Sequence, residues 1–129
     1  MSPLPLEGVR IIDFAQVFAG PACTRILADL GADVIRFESP NRLDVTRNLI
    51  LTDNDGMDHS WHRASYFVIR NASKREMAVD LAKEEAREII RKLAATADVV
   101  VESFTPRVMA NFGLHYDALK QIKPDIIMC

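Results

Sequence analysis

The chain has 129 residues, of which 49% are hydrophobic and 26% charged, with a net charge of -2 at pH 7 and a pI near 5.9. That length accommodates one domain with one substantial core, and the composition lies near the globular average, which excludes disordered, collagen-like and disulfide-scaffold classes. The slight acidity gives no global field for nucleic acid or an anionic membrane, so an anion site has to come from local basic residues.

The stretch Val9 to Asp13 reads as a strand, Phe14 to Gly20 as a loop, and Pro21 as a helix opener, because proline there loses no needed N–H and already has a helical φ. Cys23, Ile26, Leu27 and Leu30 then share one face of a helix that Gly31 can end, and Asp33 to Glu38 is a second strand. Strand, helix and strand in that order predict a parallel pair whose first loop lies at the carboxyl edge of the sheet, where open α/β folds bind ligands. Ser39 to Ser60 is polar, with Pro40, Gly56 and several Asn and Asp residues, and reads as a long loop. Trp61 to Ile69 suits a helix or a strand, and the alternation of Met77, Val79 and Leu81 predicts a third strand over Glu76 to Leu81.

The clearest helix spans Lys83 to Thr96, with Ala86, Ile89, Ile90, Leu93 and Ala94 on one face and solvated Glu–Arg pairs on the other. Three consecutive valines predict a buried strand over Asp98 to Glu102. Short helices over Arg107 to Phe112 and Tyr116 to Ile122 lead to a last strand, Asp125 to Cys129. An interior parallel strand needs a crossover to return the chain, so the sheet is expected to be unfinished here. The start MSPLPLEG does not read as a signal peptide, and no apolar run reaches membrane-spanning length.

Four loop segments can carry chemistry. Gln16 to Pro21 offers close backbone approach at Gly20, without a G-x-G-x-x-G or lysine-bearing phosphate motif. Arg42 to Arg47 and Asn71 to Arg75 are basic turns suited to phosphate. Glu102 to Arg107 joins hydroxyls, a guanidinium and Phe104, whose ring can stack on a planar ligand or pack into the core. Basic turns and a ring at one sheet edge suit a ligand with several phosphates and an aromatic base. Cys23 and Cys129 are too few for a disulfide framework or zinc cluster and read as reduced thiols of a cytosolic enzyme, while His59, His62 and His115 lack metal spacing. No Ser, Cys or Asp has an identifiable base beside it, so spacing alone nominates no catalytic residue.

The motifs PLEGVRIIDF, AGPACTRILADLGADVIRFE, DVTR, NASKR, ADVVVESFTPRVM and FGLHYDAL, in this order along nearly the whole chain, closely resemble the amino-terminal part of family III CoA-transferases, a group that includes α-methylacyl-CoA racemases. The resemblance implies that residues 1–129 are the amino-terminal part of a Rossmann-like large domain: α/β, a mostly parallel sheet flanked by helices, binding coenzyme A in a longer, homodimeric, cytoplasmic enzyme with acyl-CoA and carboxylic acid substrates. It matches Val17, Phe18, Ala19, Val79, Ser103 and Phe104 to CoA contacts. Ser39 and Asn111 stand where relatives carry arginines, leaving Arg42, Arg47, Lys74, Arg75 and Arg107 as candidates to bind the phosphates. In the transferases an aspartate attacks the thioester and passes through mixed-anhydride and aspartyl-CoA intermediates. By the same resemblance that aspartate falls beyond Cys129, so neither Asp117 nor Asp125 is assigned as nucleophile and the isolated chain is expected to be inactive.

Overall fold

The computed structural model describes residues 3–49 and 60–129. His59, and the part of the predicted polar loop that spans 50–59, lie outside the described residues. Five parallel strands form one sheet in the order β3-β2-β1-β4-β5, with β1 at Arg10–Asp13, β2 at Asp33–Glu38, β3 at Arg75–Ala78, β4 at Val99–Val101 and β5 at Ile127–Met128. The connections carry helices α1 (Ala19–Asp29), α2 (Ser65–Asn71), α3 (Glu84–Ala94), α4 (Arg107–Asn111) and α5 (Tyr116–Ile122). Chain direction reverses its march across the sheet between β1 and β4, which opens a crevice above their carboxyl ends.

Side-chain alternation along the strands separates the two faces of the sheet. Ile12 and Phe14, Ile35 and Phe37, and Val100 point to one face, where they are buried with Ile90 and Ala94 of α3, Met109 of α4 and Leu119 of α5. On the other face Ile11 and Val34 pack with Leu27 and Ala28 of α1, and there the strands also bury charge: Asp13, Arg36 and Glu38 are at most 6% exposed. Apolar periodicity locates β1, β2 and α3, each of which buries apolar residues on at least one face.

Several expectations change in three dimensions. The face of α1 that rests on the sheet carries Pro21 and Thr24, with Leu27 partly covered, whereas Cys23, Ile26 and Leu30 face outward. Thr24 is drawn inward because its hydroxyl donates to Asp13 Oδ2 at 2.6 Å, which satisfies both buried groups. The segment after β2 contains a 3₁₀ turn, Val45–Asn48, whose N-cap Asp44 and whose own Thr46 and Arg47 are buried. Trp61 to Ile69 resolves into a 3₁₀ turn, Ser60–Arg63, followed by α2. Val99 and Val101 are only partly buried, and β5 is an edge strand of this chain with Ile127 56% exposed.

Candidate functional site

The carboxyl ends of β1 to β4 surround a cleft of about 490 Å³. Phe14 and Phe37 stack beneath it with ring centroids 5.2 Å apart, and Val79 closes the floor from the end of β3. Ser39 and Arg42 form one wall, Asp80 to Ala82 a second, and Ser103 to Thr105 with Val108 and Phe112 a third. The half-buried Phe104 packs against the core and still lines the opening. A planar apolar group entering here meets aromatic rings and aliphatic walls, which is the usual composition of a small-molecule site.

Polar groups ring the mouth. Among the described residues Arg42 is the one cationic side chain that lines the cleft, and it is exposed, as an anion ligand needs to be. The carboxylates that reach the cleft are already engaged. Asp80 accepts from Asn41 Nδ2 at 3.2 Å and from the Ala82 amide at 3.1 Å. Glu38 accepts from Arg47 Nη2 at 2.7 Å and from the Asp44 amide at 2.7 Å. Burial alone would raise the Glu38 carboxyl, but the Arg47 and Asp44 hydrogen bonds, with the charges of Arg36 and Arg47, hold it below the usual glutamate range.

The β1–α1 loop edges the cleft through Gln16. Val17, Phe18 and Ala19 follow it as exposed residues beside the opening, outside its lining. The Phe18 ring lies near Tyr66, and the Arg70 guanidinium sits over both rings, 4.3 Å from Phe18 and 3.4 Å from Tyr66. Gly20 is required just beyond, because a Cβ there would come within 2.2 Å of Ala15 Cβ. The Ser103 hydroxyl accepts the Gln16 amide at 2.9 Å, so this residue braces the loop and retains its own proton to donate.

The predicted phosphate ligands divide. Ser39 and Arg42 stand at the cleft, and Arg107 is exposed at the start of α4. Arg47 is engaged within the fold: its guanidinium is buried against Glu38 and Glu76 and lies 3.6 Å from the centroid of the Phe67 ring. Lys74 is likewise engaged, since its ammonium donates to Asp13 Oδ2, the Pro21 carbonyl and Asn71 Oδ1 at 2.9–3.0 Å. Burial pushes the Lys74 ammonium below the usual lysine range, and the nearby Asp13 charge opposes that shift. The turn Asn71 to Arg75 precedes β3 instead of following a strand, so Arg75 lies at the amino end of the sheet, paired with Asp33. The basic turns therefore do not converge on one edge.

Sequence reading missed Phe14, Phe37 and the Asp80–Ala82 wall. Their available signal was position: Phe14 immediately follows β1, Phe37 is the penultimate residue of β2, and Asp80 follows the pairing of β3 with β2. Asp44 was missed altogether, because its partners Val17, Arg36 and Thr46 come from three separate segments.

A parallel sheet that reverses its winding at β1 and β4, with an apolar cleft above that point, defines an open α/β unit with its crevice where such folds place ligands. The profile of CoA-transferase family III matches residues 6–129, and the chain belongs to that family. It is 44% identical over 127 residues to an acyl-CoA transferase of Fusarium pseudograminearum, covering 95% of this chain and 27% of that protein. It is 39% identical to a succinate–glutarate CoA-transferase of Agrobacterium fabrum, covering 97% of this chain and 31% of the relative. The crystal structure of a CAIB/BAIF family protein from Brucella suis superposes with a TM-score of 0.87 at 40% identity, over 99% of this chain and 33% of that one. The chain thus spans about a third of the length of these relatives. Among the described residues, no helix is long and apolar enough to cross a membrane.

Proposed function

We propose that the cleft above β1, β2, β3 and β4 binds the coenzyme A part of an acyl-CoA, and that residues 1–129 contribute the CoA-binding portion of a cytoplasmic, homodimeric enzyme transferring CoA between carboxylic acids. The observation that carries the reading is the cleft itself: stacked Phe14 and Phe37, Phe104 at the opening, and Arg42 at the mouth suit a planar base attached to phosphates. Family membership and the relatives named as CoA-transferases support the same substrate class. In this reading Val79, Phe104 and the phenylalanine floor hold the base. Ser39, Ser103 and Arg42 hold polar groups, Arg107 is a further cation at the periphery, and Val17 to Ala19 border the remainder of the ligand.

The covalent step needs a positioned carboxylate nucleophile, and the family resemblance assigns that role to none of the acids of this chain. The reading therefore has the purified chain bind CoA without exchanging it between acids. Calorimetric titration with CoA tests the site, and Phe104→Ala should weaken binding by about 1 kcal/mol, the scale of one aromatic stacking contact. A folded Phe104→Ala variant with parental affinity would remove that ring from the site. Hydroxylamine trapping of an enzyme-bound acyl group, with sustained exchange by the chain alone, would place a working nucleophile within these residues.

A further inference from the structure

Three consecutive amides of the β1–α1 loop are each held by a side chain from a different place in the fold. The Ala15 amide donates to Asp13 Oδ1 at 2.9 Å, Gln16 to Ser103 Oγ at 2.9 Å, and Val17 to Asp44 Oδ2 at 3.1 Å. The third contact coincides with strain. Val17 has φ 72°, a left-handed conformation that a β-branched residue adopts only when its surroundings impose it. Asp44 is fully buried, and its other contacts fix the carboxylate: Arg36 Nη2 donates to Oδ2 at 3.0 Å, while the Thr46 amide and hydroxyl donate to Oδ1 at 2.9 and 2.7 Å. The Asp44 amide in turn donates to Glu38 Oε1 at 2.7 Å. A carboxylate fixed by three hydrogen bonds besides the one from Val17 cannot follow the loop, so the loop must conform to it.

We propose that Asp44 is a positioning residue: by accepting the Val17 amide it holds residues 16–19 in the conformation that borders the ligand cleft, and it anchors that loop to the buried Arg36 of β2. This rests on the coenzyme A reading of the cleft for its consequence, although the contact itself does not. The strain at Val17 is then part of the site's preorganisation, since a loop already fixed in its binding geometry loses less freedom when a ligand arrives. A purely structural Asp44, serving only to cap the 3₁₀ turn and neutralise Arg36, would support stability without acting on the loop.

Three variants of the purified protein separate these roles, each read by melting temperature, by calorimetric titration with CoA, and by the intraresidue amide–Hα NOE of residue 17, which is strong only at positive φ. Asp44→Ala should lose the NOE and bind CoA about tenfold more weakly, a loss of about 1.4 kcal/mol. Thr46→Val removes a partner from the same carboxylate and leaves the Val17 contact, so it should melt earlier with affinity changed less than about twofold. Asp44→Asn retains an acceptor oxygen and should keep both the NOE and an affinity within about threefold of the parent. A folded Asp44→Ala protein that keeps the NOE or the parental affinity overturns the proposal. Should that variant not fold, Asp44→Asn carries the test, and an affinity loss of about tenfold or more there contradicts the proposal by placing the effect in charge instead of in the amide contact. A parent that takes up no CoA defeats the ligand reading, whereas the NOE comparison, which needs no ligand, still decides whether Asp44 holds the loop.

Discussion

The two faces of the sheet are built from the same strands and solve different problems. The face covered by α3, α4 and α5 is apolar, with Ile12, Ile35, Ile90, Val100 and Leu119 at no more than 9% exposure, and its carboxyl end opens into the cleft. The face beside α1 and α2 buries Asp13, Arg36, Glu38, Asp44 and Arg47, with the Arg36 and Arg47 guanidinium groups over the Phe67 ring at 4.8 and 3.6 Å. Hydrophobic burial supplies non-directional stability, whereas an ionic network, here paired at every charge although Arg36 Nε has no acceptor among the described residues, holds its members in one geometry and is costly to break. In the proposed reading, ligand contact falls to the apolar side and fixing of the loop to the polar side.

The largest expected effect comes from breaking the polar face. Arg36 interacts with Glu38, Asp44 and Glu76, so Arg36→Ala leaves buried acids short of a partner and should destabilise the fold by about 3–5 kcal/mol in denaturant unfolding. A loss below about 1 kcal/mol would mean that water or rearrangement replaces the arginine easily. On the apolar face Ile90→Ala removes a side chain that is 0% exposed and should cost about 2–5 kcal/mol through lost transfer energy and a residual cavity. The comparison sharpens in ligand binding: when both proteins are folded, Arg36→Ala should disturb the Val17 loop, whereas Ile90→Ala should not.

Acid provides a smaller, graded probe of the same difference. Burial raises the Asp44 carboxyl, but hydrogen bonds from Thr46 and Val17 and the Arg36 charge outweigh it, so Asp44 and Glu38 both titrate below their usual ranges. Groups with lowered folded values bind protons more readily when unfolded. Their stabilisation is present above the ordinary carboxylate range and is lost as pH falls through the lowered values. Unfolding measured from neutral to acidic pH should therefore show stability falling in acid, and the fall should shrink in Asp44→Asn. An identical acid profile in that variant would contradict the role given to the Asp44 charge.

Much of the fold was legible because its signals are local. Asp33–Glu38 is a strand with the bounds expected from sequence, and Tyr116–Ile122 is a helix with the bounds expected. The α1 face was misread because Cys23, Ile26, Leu27 and Leu30 have helical spacing, while the deciding contact is between Thr24 and Asp13, in another element. The candidate site was legible in part for the same reason. Ser103 and Phe104 follow a recognisable valine strand, but Arg47 resembled a free loop cation until Glu38 and Glu76 came beside it from β2 and β3. Charge in a sequence does not reveal whether a distant residue neutralises it.

The most direct test of the division between the faces is amide chemical-shift mapping during titration with CoA. The account predicts saturable shifts concentrated at Ser39, Arg42, Val79, Ser103 and Phe104 and extending to Val17–Ala19, with Lys74 and Arg75 unaffected. Shifts centred on Lys74, Arg75 and Asp33, with the cleft residues unchanged, would contradict it by putting the ligand away from the cleft, at the turn that enters β3.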